Sequence, residues 1–363
     1  MNFDKVLNNK GLYEMNIKEI VKQKIQNNAS LYVILKLIKN INNVEYIEKI
    51  REASVYSYKN ISLRYNENAT RDVIIGEVDC ASDLDGFFAA IKGILNVLYF
   101  CDQLAILPVV KMPDNWIYYD EQMSKEKNPF EYFFEQPSGI SVQEINECKV
   151  VYECKPQHRL MAERLNDSDR LSYLYTEKYI SEMSKIVEKY LRFNEETKTT
   201  LSSDLESKKI NSKVLGVHVR GTDYKQNCNE HPTFVEPSDY FEHIDIALEK
   251  GFEKIYLATD DTEIVDLFVQ KYGGERLIYD EAVTRGQGDV GVHIKERKNK
   301  NGYKLGLDVI KDMYSLANCG GLISGVSQVS LFARLFNRTF DEHYSYDVIV
   351  SKKINSNNKN FSS

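Results

Sequence analysis

From Val214 onward the chain alternates short apolar runs with amphipathic ones, and that rhythm constrains the fold more than any other feature. Val214–Val219 (VLGVHV) is apolar at nearly every position, as in a strand covered on both faces. Tyr240 to Glu249 follows with helical spacing, then a strand over Lys254–Thr259, a helix over Thr262 to Tyr272, and a short extended piece at Leu277–Tyr279. Leu305 to Ala317 reads as a helix, Gly321–Ser324 as a strand and Ser327 to Asn337 as a closing helix. Strand and helix in strict turn imply a doubly wound α/β domain with a parallel sheet.

The first half speaks the same grammar less clearly. Asp72–Val78 reads as a strand, a turn lies at Asp83 to Gly86, a helix runs from about Phe87 to Leu104, and Ile106–Val110 is the next strand. A long helix is expected over 168 to 195. Residues 1 to about 65 carry three- and four-residue apolar spacing, including Ile17 to Gln26 and Leu31 to Ile50, which predicts an N-terminal helical extension. Glycine usage divides the chain as well, since only 5 of 18 glycines precede residue 200. The polar stretch Thr197 to Lys213 is the best candidate for a linker. The expected organisation is therefore a helical extension (1–65), a first α/β domain (66–205), a second α/β domain (206–350) and a polar tail (351–363). Two such domains face each other across a cleft, and several of the 24 tyrosines are candidates to line it.

Composition excludes other classes. A net charge of −7 gives no basic face for nucleic acid, and the basic run Lys295 to Lys304 reads as a solvated loop. Cysteines at 80, 101, 148, 154, 228 and 319 form no CxxC pair, which suits neither a zinc site nor a disulfide framework. No early apolar stretch resembles a secretory signal, and Leu31 to Ile38 is too short and too interrupted to span a bilayer. A cytoplasmic enzyme is the expectation.

Ligands of open parallel sheets bind beyond the C-terminal strand ends, and three strands here end in polar residues. The first ends in His218-Val219-Arg220-Gly221-Thr222-Asp223, where an arginine is placed to grip a phosphate with its fork of donors. A structural Arg220–Asp223 pair is the alternative. The second ends in Ala258-Thr259-Asp260-Asp261: the carboxylates either accept from a ligand or cap the next helix, and Asp261 suits the cap. At the third, Ser327-Gln328-Val329 opens a helix whose free N–H groups attract an anion, a role compatible with Ser327 as the N-cap.

In this order and spacing, His218–Asp223 (HVRGTD), Tyr256–Asp261 (YLATDD) and Ser327–Val329 (SQV) resemble the three motifs of the α1,6-fucosyltransferase, nodulation fucosyltransferase and protein O-fucosyltransferase superfamily. The resemblance extends to Asp312 on the preceding helix, to Gly86-Phe87-Phe88, and to Asn128–Phe134 (NPFEYFF), which looks like bacterial members; it spans about residues 80 to 345. One departure stands out: the α1,6 enzymes usually carry two adjacent arginines in the first motif, and here Gly221 replaces the second.

The resemblance implies a GT-B fold of two facing Rossmann-like domains and a donor, GDP-β-L-fucose, used without a metal or other cofactor. It implies a donor site built from His218, Arg220, Asp223, Asp260, Asp261, Asp312, Ser327, Gln328 and Val329. Arg220 would lie on the β-phosphate and Asp260 or Asp261 at the nucleoside, with Gly86, Phe87 and Phe88 on the cleft side of the first domain. The reaction implied is an inverting transfer of fucose to a glycan hydroxyl. Glu230 and His231 follow the first motif where the family carries a candidate base. Another GDP-hexose donor, or a sugar-nucleotide-binding module without turnover, are the competing readings. Asp83-Leu84-Asp85 offers an Asp-x-Asp metal triplet, but its place in a turn before a helix favours capping. No G-x-G-x-x-G follows a strand, which argues against a dinucleotide oxidoreductase. The glycine-rich, then basic, segment Gly286 to Gly302 is expected either to close over an acidic donor or to be a plain solvated loop.

Overall fold

The strand VLGVHV lies at the centre of a five-stranded, fully parallel sheet with all six residues buried. A computed structural model describes residues 61–79, 86–123, 127–154, 174–221, 235–280 and 301–351, with the single positions 39 and 43. Its strands are β1 (Ile61–Tyr65), β2 (Arg71–Asp79), β3 (Leu107–Lys111), β4 (Cys148–Cys154), β5 (Val214–Val219), β6 (Lys254–Thr259), β7 (Leu277–Ile278), β8 (Gly321–Ser324) and β9 (Tyr346–Ile349). The α-helices are α1 (Phe87–Leu104), α2 (Glu177–Tyr190), α3 (Glu195–Lys208), α4 (Phe241–Glu249), α5 (Thr262–Tyr272), α6 (Gly302–Ala317) and α7 (Gln328–Asn337).

Strands β1 to β4 form one sheet in the order β1-β4-β2-β3, parallel except for β1 against β4. The second sheet runs β7-β6-β5-β8-β9. The chain starts it at the centre, winds outward through β6 to β7, then returns to build β8 and β9 on the other side of β5. The strand order therefore reverses between β5 and β8, which is where such a sheet leaves a crevice at its C-terminal edge.

Alternation along the strands sorts the core. Leu215, Val217, Ile255 and Leu257 pack with Ile244 of α4 and Phe268 of α5 on one face. Val214, Tyr256 and Ala258 point the other way, into a core shared with Ile310 and Met313 of α6 and Phe332 of α7. That core continues without a break into α1 and α2 of the first half, so α6 and α7 lie between the two sheets. Phe88 of α1 meets Phe332 of α7 with ring centroids 4.7 Å apart, and Tyr303 of α6 stacks on Phe133 at 5.5 Å.

Three expectations need correcting. The helical extension was expected to reach residue 65, but Ile61–Tyr65 (ISLRY) is a strand, paired with β4. Its apolar and polar residues alternate with a period of two, the signature of a strand. The rest of that extension, residues 1–60 apart from 39 and 43, lies outside the described residues. The expected helix over 168–195 ends at Tyr190, and its first residues also lie outside. The expected linker, Thr197 to Lys213, is for most of its length helix α3. Asn194 caps it by accepting from the Thr197 N–H at 2.9 Å, and Glu195 and Glu196 occupy its positive end. The stretch looked like a linker because it buries a single leucine, Leu201, beside Thr197 and a carboxylate, Asp204. Asp204 is matched by Lys208 at 2.6 Å and by Lys311 of α6 at 2.9 Å, and a buried face made of ion pairs is invisible to hydropathy. Among the described residues no helix is long and apolar enough to cross a membrane.

Candidate functional site

The reversal point between β5 and β8 brings two of the three sequence motifs into contact. His218, the fifth residue of β5, is 5% exposed, and its Nδ1 lies 3.3 Å from the Oγ of Ser327, three residues beyond the end of β8. Burial first, and the positive charge of Arg220 second, bring its imidazole down to about 4, so the ring is neutral at pH 7. Ser327 is the N-cap of α7 and accepts from the Ser330 N–H at 3.0 Å. Its own N–H is taken by the Tyr175 hydroxyl at 3.0 Å, and the same hydroxyl donates to the Ser327 carbonyl at 2.8 Å. The N–H groups left at the start of α7, those of Gln328 and Val329, are first-turn donors with no intrahelical acceptor. The Gln328 Oε1 is buried without a partner among the described residues.

The third motif joins through Arg220. Its guanidinium sits 3.3 Å from Asp260 Oδ2, and Asp260 Oδ1 accepts from the Gly221 N–H at 2.8 Å. One carboxylate thus fixes both the arginine and the backbone that follows it. Arg220 keeps 28% of its side-chain surface exposed. Asp261, fully buried, caps α5 by accepting from the Glu263 N–H at 2.9 Å. Of the two neighbouring aspartates, Asp261 caps the helix and Asp260 faces the arginine. Asp312, on α6, accepts from the Tyr256 hydroxyl at 2.7 Å. Tyr256 is fully buried in β6, and burial together with that carboxylate raises its phenol far above the usual value.

From the first half, α1 presents its N-terminus. Gly86 caps it without a side-chain bond, and the Phe87 N–H donates to Tyr118 Oη at 2.9 Å. Burial pushes the Tyr118 phenol up to about 12, while the Phe87 N–H and the Arg220 charge act in the opposite sense. The side chains of Phe87 and Phe88 are each 2% exposed and belong to the core: Phe87 packs on Trp116, Tyr118 and Phe133, and Phe88 on Phe332. What this segment has left for a ligand is backbone.

Asp223, Glu230 and His231 lie outside the described residues, as do Asp83 and Asp85 and all of the Gly286 to Gly302 segment before Asn301. The partner of Arg220 that is described is Asp260, which sequence spacing did not single out. Sequence reasoning also missed Tyr175, Ser330 and Tyr118. Ser330 carries a weak signal, because a serine three residues after an N-cap serine sits over the same helix end. Tyr175 and Tyr118 carry none, being two tyrosines among 24. Among the described residues no group of three His, Cys, Asp or Glu side chains is arranged to hold a metal ion.

The family model for alpha-(1,6)-fucosyltransferase N- and catalytic domains matches residues 151–333. No curated protein matches the sequence. Solved structures similar to this chain include fucosyltransferase NodZ from Bradyrhizobium, at 15% identity over 74% of this chain and 94% of that one, with a TM-score of 0.43. NodZ alpha-1,6-fucosyltransferase co-crystallized with GDP matches at 15% identity, over 74% and 92% of the two chains, with a TM-score of 0.42. POFUT1 in complex with GDP-fucose matches at 13% identity, over 78% of this chain and 100% of that one, with a TM-score of 0.48.

Proposed function

The chain belongs to the family of alpha-(1,6)-fucosyltransferase N- and catalytic domains, and from that premise we propose that it is an inverting enzyme of the GT-B type. It transfers L-fucose from GDP-β-L-fucose to a hydroxyl of a glycan acceptor. The donor lies in the crevice between β5 and β8, against the second domain, and the acceptor enters from the side of the first.

The observation that carries the reading is the position of Arg220. It leaves the C-terminal end of β5 beside the strand that leads into α7, braced by Asp260 and partly exposed. As the acceptor oxygen bonds to the anomeric carbon, the bond to the diphosphate breaks and negative charge grows on the departing GDP. A braced guanidinium and the free N–H groups of Gln328 and Val329 suit that growing charge better than the ground state, which lowers the barrier. They supply positive charge without a metal ion. Asp260 or Asp261 serves the nucleoside, Asp312, Ser327 and Gln328 complete the donor pocket, and Glu230 or His231 removes the proton of the attacking hydroxyl.

The test is release of GDP from GDP-fucose in the presence of a glycan mixture, compared with other GDP- and UDP-sugars. Thermal shift runs alongside, because a ligand at 100 times its Kd stabilises the fold by about 2.7 kcal/mol. Stabilisation by GDP-fucose without turnover would leave a binding module; stabilisation by UDP-sugars alone would overturn the donor.

A further inference from the structure

The contact between His218 and Ser327 involves more protons than it first shows, and counting them assigns the imidazole tautomer. A hydroxyl has one proton to give. The Ser327 hydroxyl directs its proton to Ser330 Oγ at 3.2 Å. Ser330 in turn donates to a backbone carbonyl, that of Gly325 at 3.0 Å or of Ser327 at 3.1 Å. Tyr175 donates to the Ser327 carbonyl at 2.8 Å and receives the Ser327 N–H. The Tyr175 hydroxyl also lies 3.2 Å from Ser330 Oγ, and the arrangement that makes every one of these contacts a hydrogen bond points each hydroxyl proton away from His218. The Ser327 Oγ therefore meets His218 Nδ1 as an acceptor, and the contact is a hydrogen bond only if Nδ1 carries the proton.

We propose that Ser330 and Tyr175 are positioning residues that hold His218 as the Nδ1–H tautomer, leaving Nε2 to accept a hydrogen bond from an N–H or O–H of the bound nucleotide. Among the described residues none is bonded to Nε2. Ser330 and Ser324 are fully buried and Tyr175 is 6% exposed, so no bulk water is at hand to reverse the chain. Arg334 strengthens it from behind. Its guanidinium bonds Ser324 Oγ at 2.9 Å and the Ser330 carbonyl at 3.2 Å, lies 5.3 Å from the Tyr175 ring centroid, and is itself paired with Asp347. The ring is neutral at pH 7, so which nitrogen carries the single proton decides whether this site offers an acceptor or a donor.

The inference rests on the donor-site reading above, but its first test does not. The full-length protein is labelled with 15N-histidine, and a long-range proton–nitrogen correlation spectrum near pH 7 separates protonated from unprotonated ring nitrogens. His218→Gln identifies the signals. The expected result is a protonated Nδ1 and an unprotonated Nε2; a protonated Nε2 in the unaltered protein overturns the proposal with no variant needed. Ser330→Ala removes the acceptor of the Ser327 proton, which then turns to Nδ1. The two nitrogen signatures should exchange, and GDP affinity measured by calorimetry should fall about tenfold. An unchanged tautomer in Ser330→Ala would remove Ser330 from the role. An exchanged tautomer with unchanged GDP affinity would show that Nε2 accepts nothing from the nucleotide. Absence of GDP binding by the unaltered protein would overturn the donor-site reading, and the spectrum would still judge the tautomer.

Discussion

Gly221 and Asp261 are packed so closely that the backbone of one has no room for a side chain beside the other. A Cβ on Gly221 would overlap the Asp261 Cβ and stand 2.8 Å from its Oδ2 and 3.1 Å from its Cγ. Asp261 cannot move away, because its carboxylate caps α5. With Asp261 in this place, a side chain at position 221 has no room unless the neighbouring backbone shifts. Gly221→Ala should therefore destabilise the protein by about 1–3 kcal/mol, read from the urea midpoint. Gly221→Ala combined with Asp261→Gly should recover part of that, short by about 1 kcal/mol for the lost cap. A Gly221→Ala variant as stable as the parent would show that the approach is looser than described.

His218 makes stability depend on pH. Its folded-state value of about 4 lies below the ordinary 6.5, so the unfolded chain binds the proton more readily. Stability from this group is full above pH 6.5 and is lost as pH falls from there through 4, up to about 3 kcal/mol. His218→Gln should flatten that part of a stability–pH curve; an identical slope in parent and variant would place the ring in a more solvated site.

Asp308 of α6 behaves in the opposite sense. Burial outweighs the attraction of Lys304 and Lys311 and raises its carboxyl to about 6. The folded state then holds the proton more tightly than the unfolded state, and stability falls as pH rises from 3.8 through 6. Asp308→Asn should stabilise the protein at pH 7 by about 1 kcal/mol, after discount for solvent screening at a partly exposed group, and the gain should vanish below pH 4. Equal melting temperatures at pH 7 would count against it.

Much of this arrangement was legible because the residues that build it also build the sheet. The run VLGVHV announces a central strand, and a polar residue leaving such a strand has few places to go except the crevice. Ser327 was readable as an N-cap because local backbone needs choose serine there whatever the ligand does. The parts that were not legible depend on pairing across long separations. Tyr175 reaches Ser327 across 152 positions and Tyr256 reaches Asp312 across 56, and nothing in the local sequence marks either. Helix α3 was misread for a related reason, since its buried face is carried by Asp204 and its lysine partners rather than by apolar residues.

Turnover is expected to survive EDTA. In the proposed mechanism, Arg220 and the start of α7 would supply the positive charge that a divalent ion supplies in other transferases. Loss of GDP release in EDTA, restored by added Mn²⁺, would reassign Asp83 and Asp85 from capping to metal binding.

Arg220 should be indispensable and not replaceable by lysine. Asp260 meets one edge of its guanidinium, and a guanidinium can make two parallel bonds to phosphate oxygens, which a single ammonium cannot do. Loss of a comparable transition-state donor costs on the order of 100- to 1,000-fold in rate. Arg220→Ala should lose at least that much turnover of GDP-fucose, with the far-UV spectrum and melting temperature little changed, because the ion pair is partly exposed and contributes little to stability. Arg220→Lys should recover only a fraction. Asp260→Asn separates bracing from charge: the arginine remains, its anchor weakens, and the loss should be smaller than in Arg220→Ala. If Arg220→Ala were folded and turned over GDP-fucose at a near-normal rate, the charge on the departing GDP would have to be met elsewhere, and the first-turn N–H groups of α7 would be the remaining candidates.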